Sequence, residues 1–150
     1  MYLTVEAKMD TKLLKILATD QEDLEVFSAF LQDAIIPLKG LDYCEGDHTF
    51  RIFANRFRWE LSENKKEKPQ RLHTGVVFQD VTKVEYRGFT RYEDQNHSLE
   101  LLTIQYDEPH IHLIFATDAQ IRLTVDKIHA RIKDVDDAWP VLHQPKHKTA

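Results

Sequence analysis

His110 and His112 stand two residues apart in His110-Ile111-His112-Leu113-Ile114-Phe115, a run that places Ile111, Leu113 and Phe115 on alternate positions. Alternate residues of a β-strand share a face, so the two imidazoles lie side by side about 7 Å apart. Imidazole serves as general base or metal ligand when a second group orients it. Two flanking runs supply such groups. A two-residue turn at Glu108-Pro109 pairs Tyr106 with Ile111, Ile104 with Leu113 and Leu102 with Phe115, which sets Gln105 beside His112. A three-residue turn at Asp118 to Gln120 keeps Phe115 opposite Leu123 and sets Asp126 on the other side. The expected constellation is His110, His112, Asp126 and Gln105, the shape of a small hydrolase or metal-dependent site. In that row the carboxylate raises the pKa of His112. No third ligand or nucleophile is fixed nearby; His73 or His129 joins only if the topology brings it there. Exposed sheet faces also carry polar cross-strand pairs as a matter of course.

A second group mixes cations with rings: Arg51, Arg56, Arg58 with Phe53, Phe57 and Trp59, then Lys65, Lys66, Lys68 and Arg71. Rings that stack on bases and cations that neutralise phosphate are the chemistry of a single-strand nucleic-acid binder. Against it, Glu60, Glu63 and Glu67 dilute the patch, and the formal charge of -5 offers no global attraction to phosphate. The parity of this run slips, since Phe50 and Ile52 oppose Phe53, Phe57 and Trp59. A bulge near Ala54-Asn55 brings both sets to the core, because one extra residue flips the faces. Arg56 and Arg58 then face outward and brace Asp or Glu on a neighbouring strand.

Both groups need a frame. Leu102, Ile104 and Tyr106, then Ile111, Leu113 and Phe115, then Ile121, Leu123 and Val125 recur at every second residue, an antiparallel meander with one buried face. Upstream, Leu14 and Ile16 mark a first strand. Thr19-Asp20-Gln21-Glu22 reads as a capping box, Thr19 bonding the Glu22 amide and Glu22 reaching back. Leu24, Phe27, Leu31 and Ala34 make one stripe of the helix, which Pro37 and Gly40 stop. A strand near Leu38 to Cys44, the run Thr49 to Leu61, a long strand Val76 to Tyr86 kinked near Asp80, and a strand through Ile128, Ala130 and Ile132 complete the set. For residues 125–135 a helix fits the spacing nearly as well as a strand; the β-branched residues favour the strand. The fold class is α+β: a mainly antiparallel, strongly curved sheet of six to eight strands, open or closed into a partial barrel, with one N-terminal helix packed on it.

At 150 residues the chain is one domain. Residues 1–10 and 141–150 read as flexible ends, with Met9 as an alternative start. The segment Ser62 to Arg71 reads as a mobile hairpin loop, and Gly88 to His97 as a second polar loop. Cys44 is the only cysteine, so no intrachain disulfide is possible. No leader pattern is seen, and no run approaches the ~18 apolar residues that span a bilayer. The expected location is the cytoplasm. No glycine-rich phosphate loop, Cys-x-x-Cys pair or Gly-x-Ser-x-Gly elbow is present, and no cofactor is implied.

Two stretches carry a family resemblance. Leu14-Lys15-Ile16-Leu17-Ala18-Thr19-Asp20, leading through Asp23-Leu24 to Leu31-Gln32-Asp33-Ala34, is one; Asn55-Arg56-Phe57-Arg58-Trp59-Glu60 is the other. With Ile121-Arg122-Leu123, Ala130-Arg131 and Trp139, they resemble an uncharacterised family of small alphaproteobacterial proteins, a domain of unknown function, over about residues 11–140. The segment before Met9 and the loop 64–68 depart from its pattern. The resemblance implies a single-domain bacterial cytoplasmic protein and supplies no catalytic residue. The function expected from the residues is a non-catalytic binding or interaction module with a protein partner, self-association included. The histidine enzyme and the weak nucleic-acid binder are the alternatives.

Overall fold

The computed structural model describes residues 13–58, 71–89 and 97–135. Strand β1 (Lys15–Ala18) leads into helix α1 (Gln21–Leu31). The helix cap sits one residue later than the sequence suggests. Asp20 accepts from the Asp23 amide at 2.8 Å, and the Asp23 carboxylate accepts from the Thr19 amide at 2.9 Å. Carboxylates at both corners satisfy amides that the first turn cannot, and they suit the positive end of the helix dipole better than a hydroxyl does. Glu22 is exposed instead. Leu24, Phe27 and Leu31 are buried, as is Ala34 just past the helix. Each of the three large side chains contributes about 1.5–3 kcal/mol on burial, which holds a helix too short to persist alone.

The strands that follow are β2 (Ile35–Pro37), β3 (Leu41–Cys44), β4 (Thr49–Phe57), β5 (Arg71–Phe78), β6 (Val81–Arg87), β7 (Ser98–Asp107), β8 (His110–Phe115), β9 (Gln120–Val125) and β10 (Ala130–Asp134). That makes ten among the described residues, rather than six to eight. The strand expected from Leu38 to Cys44 starts only at Leu41, because Leu38–Gly40 form a 3₁₀ turn, and β2 ahead of that turn was not expected. The long strand expected from Val76 to Tyr86 is divided. Asp80, with φ 61°, separates β5 from β6. Residues 130–134 form a strand, as the β-branched composition suggests.

Among the described residues every pairing is antiparallel, in the order β1-β10-β5-β4-β2-β7-β8-β9-β6, with β3 also on β4. The sheet is open, ending at β1 and β6. Short β2 joins its two halves, pairing Ile35 with both Asn55 and Glu100. One face of both halves, with α1 across it, encloses a single core that includes Phe27, Phe50, Phe78, Leu101, Leu113 and Phe115. Among the described residues no helix is long and apolar enough to cross a membrane.

The expected bulge in β4 is absent: β4 and β5 pair without interruption from Phe50–Phe78 to Phe57–Arg71. An irregularity falls in β7 instead. Leu101, not Leu102, pairs with Phe115, and the register shifts before Thr103. Leu102 is turned outward, 43% exposed. The helix accommodates this bulge, since the Ser28 hydroxyl accepts from the Ile104 amide at 3.0 Å.

Candidate functional site

The expected histidine row is only half formed. Gln105 does lie opposite His112, because the two-residue turn at Glu108-Pro109 is as read. On the other side, however, His112 faces Arg122 rather than Asp126. The cause is the β8–β9 turn. Thr117 and Asp118 both take the left-handed conformation (φ 65° and 66°), and the Phe115 amide donates to the Ala119 carbonyl at 2.9 Å. Ile114 thereby pairs with Gln120, and Leu123 meets Ile111 instead of Phe115, a displacement of four residues. The Val125 amide already reaches the Pro109 carbonyl, so Asp126 lies past the end of β8, its own amide on the Asp80 carbonyl at 3.0 Å.

The electrostatics change sign with the neighbour. His112 is held below its ordinary pKa by burial first, then by the adjacent His110 and by Arg122, with Asp107 opposing. The expected upward shift is therefore reversed. The His110 and His112 rings meet edge to face, centroids 5.8 Å apart. The row continues from Arg122 to Glu85 on β6 (2.8 Å), and Lys83 approaches Glu85 at 3.6 Å. His73 lies in the other half of the sheet, and His129 approaches Asp80 at 3.6 Å. Among the described residues, no group of three or more His, Cys, Asp or Glu side chains converges to hold a metal ion. This face is a lattice of mutually balanced polar groups.

Arg56 and Arg58 do not face outward. With no bulge, Phe50, Ile52, Ala54, Arg56 and Arg58 share the inner face, while Phe53 and Phe57 are half-buried on the outer one. Arg56 is fully buried. Its Nε and Nη2 donate to the two carboxylate oxygens of Asp134 at 2.9 and 2.7 Å, both side chains without solvent exposure. The Thr74 hydroxyl (2.7 Å) and the Leu14 amide (2.8 Å) also donate to Asp134, while Arg56 Nη1 donates to the Phe57 carbonyl. Phe30 of the helix lies over the guanidinium, 5.8 Å to the ring centroid. A buried charge is tolerable only when paired and fully hydrogen-bonded, and these donors meet that condition. The bracing role expected of Arg56 is real, but it lies in the core.

The outer face of the same half-sheet collects cations from distant parts of the chain. One row across the strands reads Lys15, Lys133, Gly75, Phe53; the next reads Leu17, Arg131, Val77, Arg51, Asp42. Arg51 approaches Asp42 at 3.4 Å. Farther along β4, Arg71 lies 3.8 Å over the Phe57 ring and donates to the Asn55 side-chain oxygen at 2.7 Å. Phe53 and His73 stack with centroids 5.2 Å apart. A groove of about 1070 Å³ runs over β1, β10 and β5, lined by Lys15, Leu17, Gly75, Val77, Arg131 and Lys133. A second, of about 580 Å³, is lined by Ile35, Pro37, Lys39, Phe53, Asn55 and His73.

Of the basic patch read from the sequence, Arg51 and Arg71 are on this face, and Arg56 and Arg58 are in the interior. Trp59, Lys65, Lys66 and Lys68 lie outside the described residues. Lys15, Arg131 and Lys133 were missed as members of the surface. Their signal was present in the alternation of Ala130-Arg131-Ile132-Lys133-Asp134, whose outward positions are all cationic, but nothing local says which strand lies beside it.

A family model described as "Protein of unknown function (DUF2948)" matches residues 14–147. No curated protein and no solved structure matches significantly.

Proposed function

The chain belongs to this DUF2948 family of unknown function, and on that premise we propose that it is a non-catalytic binding module. Its working surface is the outer face of the β1–β10–β5–β4 half-sheet, and its partner is anionic. The observation that carries this reading is a local imbalance of charge. Among the described strand residues, Lys15, Arg51, Arg71, Arg131 and Lys133 share that face with one carboxylate, Asp42, in a chain whose formal charge is -5. Such an asymmetry attracts an acidic partner locally while the whole molecule stays acidic. Among the described residues the other half-sheet offers no comparable imbalance, because Lys83, Arg87 and Arg122 on its outer face stand with Glu85, Glu100 and Asp107.

The non-catalytic part of the reading is supported by the fate of the histidine row. Asp126 stands away from His112, and a cation, Arg122, takes its place. We place the protein in the bacterial cytoplasm, a reducing compartment that suits its lone cysteine.

Retention on immobilised heparin tests the proposal. The wild type should elute at clearly higher salt than the Lys15→Glu/Arg131→Glu/Lys133→Glu variant. A Lys83→Glu/Arg122→Glu variant, altered on the other half-sheet, should elute with the wild type. Equal elution of all three proteins would refute the assignment of this face.

A further inference from the structure

We infer that the anionic partner of this face is single-stranded nucleic acid, seated over Gly75 with its phosphates on Lys15, Lys133 and Arg131. The inference rests on the binding-face reading above and names its ligand.

Gly75 is the starting point. It lies in the middle of β5, between Lys133 of β10 and Phe53 of β4, a position where glycine weakens a strand. Nothing in the fold demands it. Its φ is not positive, and among the described residues an added Cβ would meet only the Lys133 carbonyl oxygen at 3.9 Å, an ordinary contact. Glycine in a strand that the backbone does not require often marks a place where a ligand comes close. Here it opens a notch in the sheet surface and forms part of the floor of the larger groove.

What surrounds the notch describes the ligand. Val77 is half-buried two residues along β5, and Leu17 on edge strand β1 is 52% exposed. Lys15, Lys133 and Arg131 stand exposed on the adjoining strands. Among the described residues the one carboxylate in the groove lining, Asp134, is turned to the core and held by Arg56. An apolar floor with a cationic rim suits a ligand that is flat and apolar at one end and anionic at the other. A nucleotide in a single strand has that form. A duplex keeps its bases stacked inside and leaves the floor unused, and an acidic peptide brings charge without a flat face. Sequence-tolerant contact by base face and phosphate is the usual mode of single-strand binding.

Fluorescence anisotropy with a labelled oligo(dT) of about 15 nucleotides tests this, since one such module covers about 4–16 nucleotides. Three phosphate contacts predict a slope of log affinity against log salt near -2, about a 20-fold loss between about 50 and 200 mM. The Lys15→Gln/Arg131→Gln/Lys133→Gln variant should lose that dependence. Gly75→Val should fold, because its Cβ makes only an ordinary contact with the Lys133 carbonyl oxygen and a β-branched residue suits a strand, and circular dichroism checks it. Folded Gly75→Val should bind about 5- to 150-fold more weakly, the loss of one base contact. A duplex of equal length should compete poorly, as should thymidine monophosphate.

Duplex or heparin binding as tight as the single strand, or an unchanged affinity in folded Gly75→Val, overturns the inference. The anionic-face reading survives either result if the triple variant still abolishes binding. Failure of the wild type to bind oligo(dT), duplex and heparin alike removes both.

Discussion

Replacing Arg56 by methionine should destabilise the fold by about 3–5 kcal/mol, the usual consequence of stranding one member of a buried ion pair. Nothing of either side chain reaches solvent, and two of the four donors to Asp134 belong to Arg56, at 2.7 and 2.9 Å. Thr74 and Leu14 remain as donors in the variant, but neither carries charge. A domain of this size has only about 5–15 kcal/mol to lose, so the effect is large. The pH dependence supplies an independent signature. In the wild type, burial pushes the Asp134 carboxyl up, but the bonds from Arg56, the Leu14 amide and Thr74, with the charge of Arg56, outweigh it. The carboxyl is held below the usual range. A depressed folded pKa gives stability that is complete above the unfolded value near ~3.9 and is lost as pH falls towards the folded one. Without Arg56 the balance tips to desolvation and the folded pKa rises, so the variant gains stability relative to wild type as pH falls through that raised value. Urea denaturation between pH 3 and pH 8 reads both effects. The double variant Arg56→Met/Asp134→Leu should recover most of the loss, because apolar replacement of a whole buried pair is often neutral. An Arg56→Met protein within about 1 kcal/mol of wild type, with the same pH profile, would show that the pair is hydrated and refute this account.

Leu31→Ala should cost about 2–5 kcal/mol by denaturation, since the side chain is 2% exposed against the sheet. Asp20→Ala should cost about 0.5–2 kcal/mol as the cap is lost, and Thr19→Ala less; the reverse order would restore the expected cap at Thr19. In an NMR titration His112 should titrate below ~6.5, and Asp126→Asn should leave it unmoved. Because its folded pKa is depressed, the stability linked to it is complete above the unfolded value of ~6.5 and is lost as pH falls from there towards the folded value. Gly88→Ala should lose more than about 1 kcal/mol, because φ is 86° and an added Cβ would lie 2.7 Å from the Asp118 carbonyl oxygen. Gly46→Ala, with nothing within 4 Å, serves as its control in the same thermal melts.

Where the polarity pattern was local, the chain could be read directly. The stripe Leu24, Phe27, Leu31 had to find a hydrophobic surface, and it did. The alternation through residues 110–115 and 121–125 told which side chains enter the core, and all of Ile111, Leu113, Phe115, Ile121, Leu123 and Val125 are buried. The two-residue turn at Glu108-Pro109 set the β7–β8 pairing near the turn, so Gln105 opposite His112 followed. Polarity misled in β4. Phe53, Phe57 and Trp59 on the parity opposite Phe50 and Ile52 point to a bulge that brings both sets to the core. Yet the pairing is regular and Arg56 takes the inner face, because the partner that makes its burial possible, Asp134, lies 78 residues away.

Sequence by itself thus determined which face the residues of β8 and β9 take, because a period of two is a local property of extended backbone. It could not choose between registers that differ by an even number of residues, since these keep every apolar side chain on the same face. Displacing β9 by four residues costs the core nothing in pattern, yet it exchanges Asp126 for Arg122 beside His112. The left-handed residues Thr117 and Asp118 made that choice. Tertiary structure alone also brought Lys15 of the first strand beside Lys133 of the last, and both beside Gly75. Strand order depends on long-range pairing of backbone groups that all residues share, so the side chains carry no local mark of their neighbours.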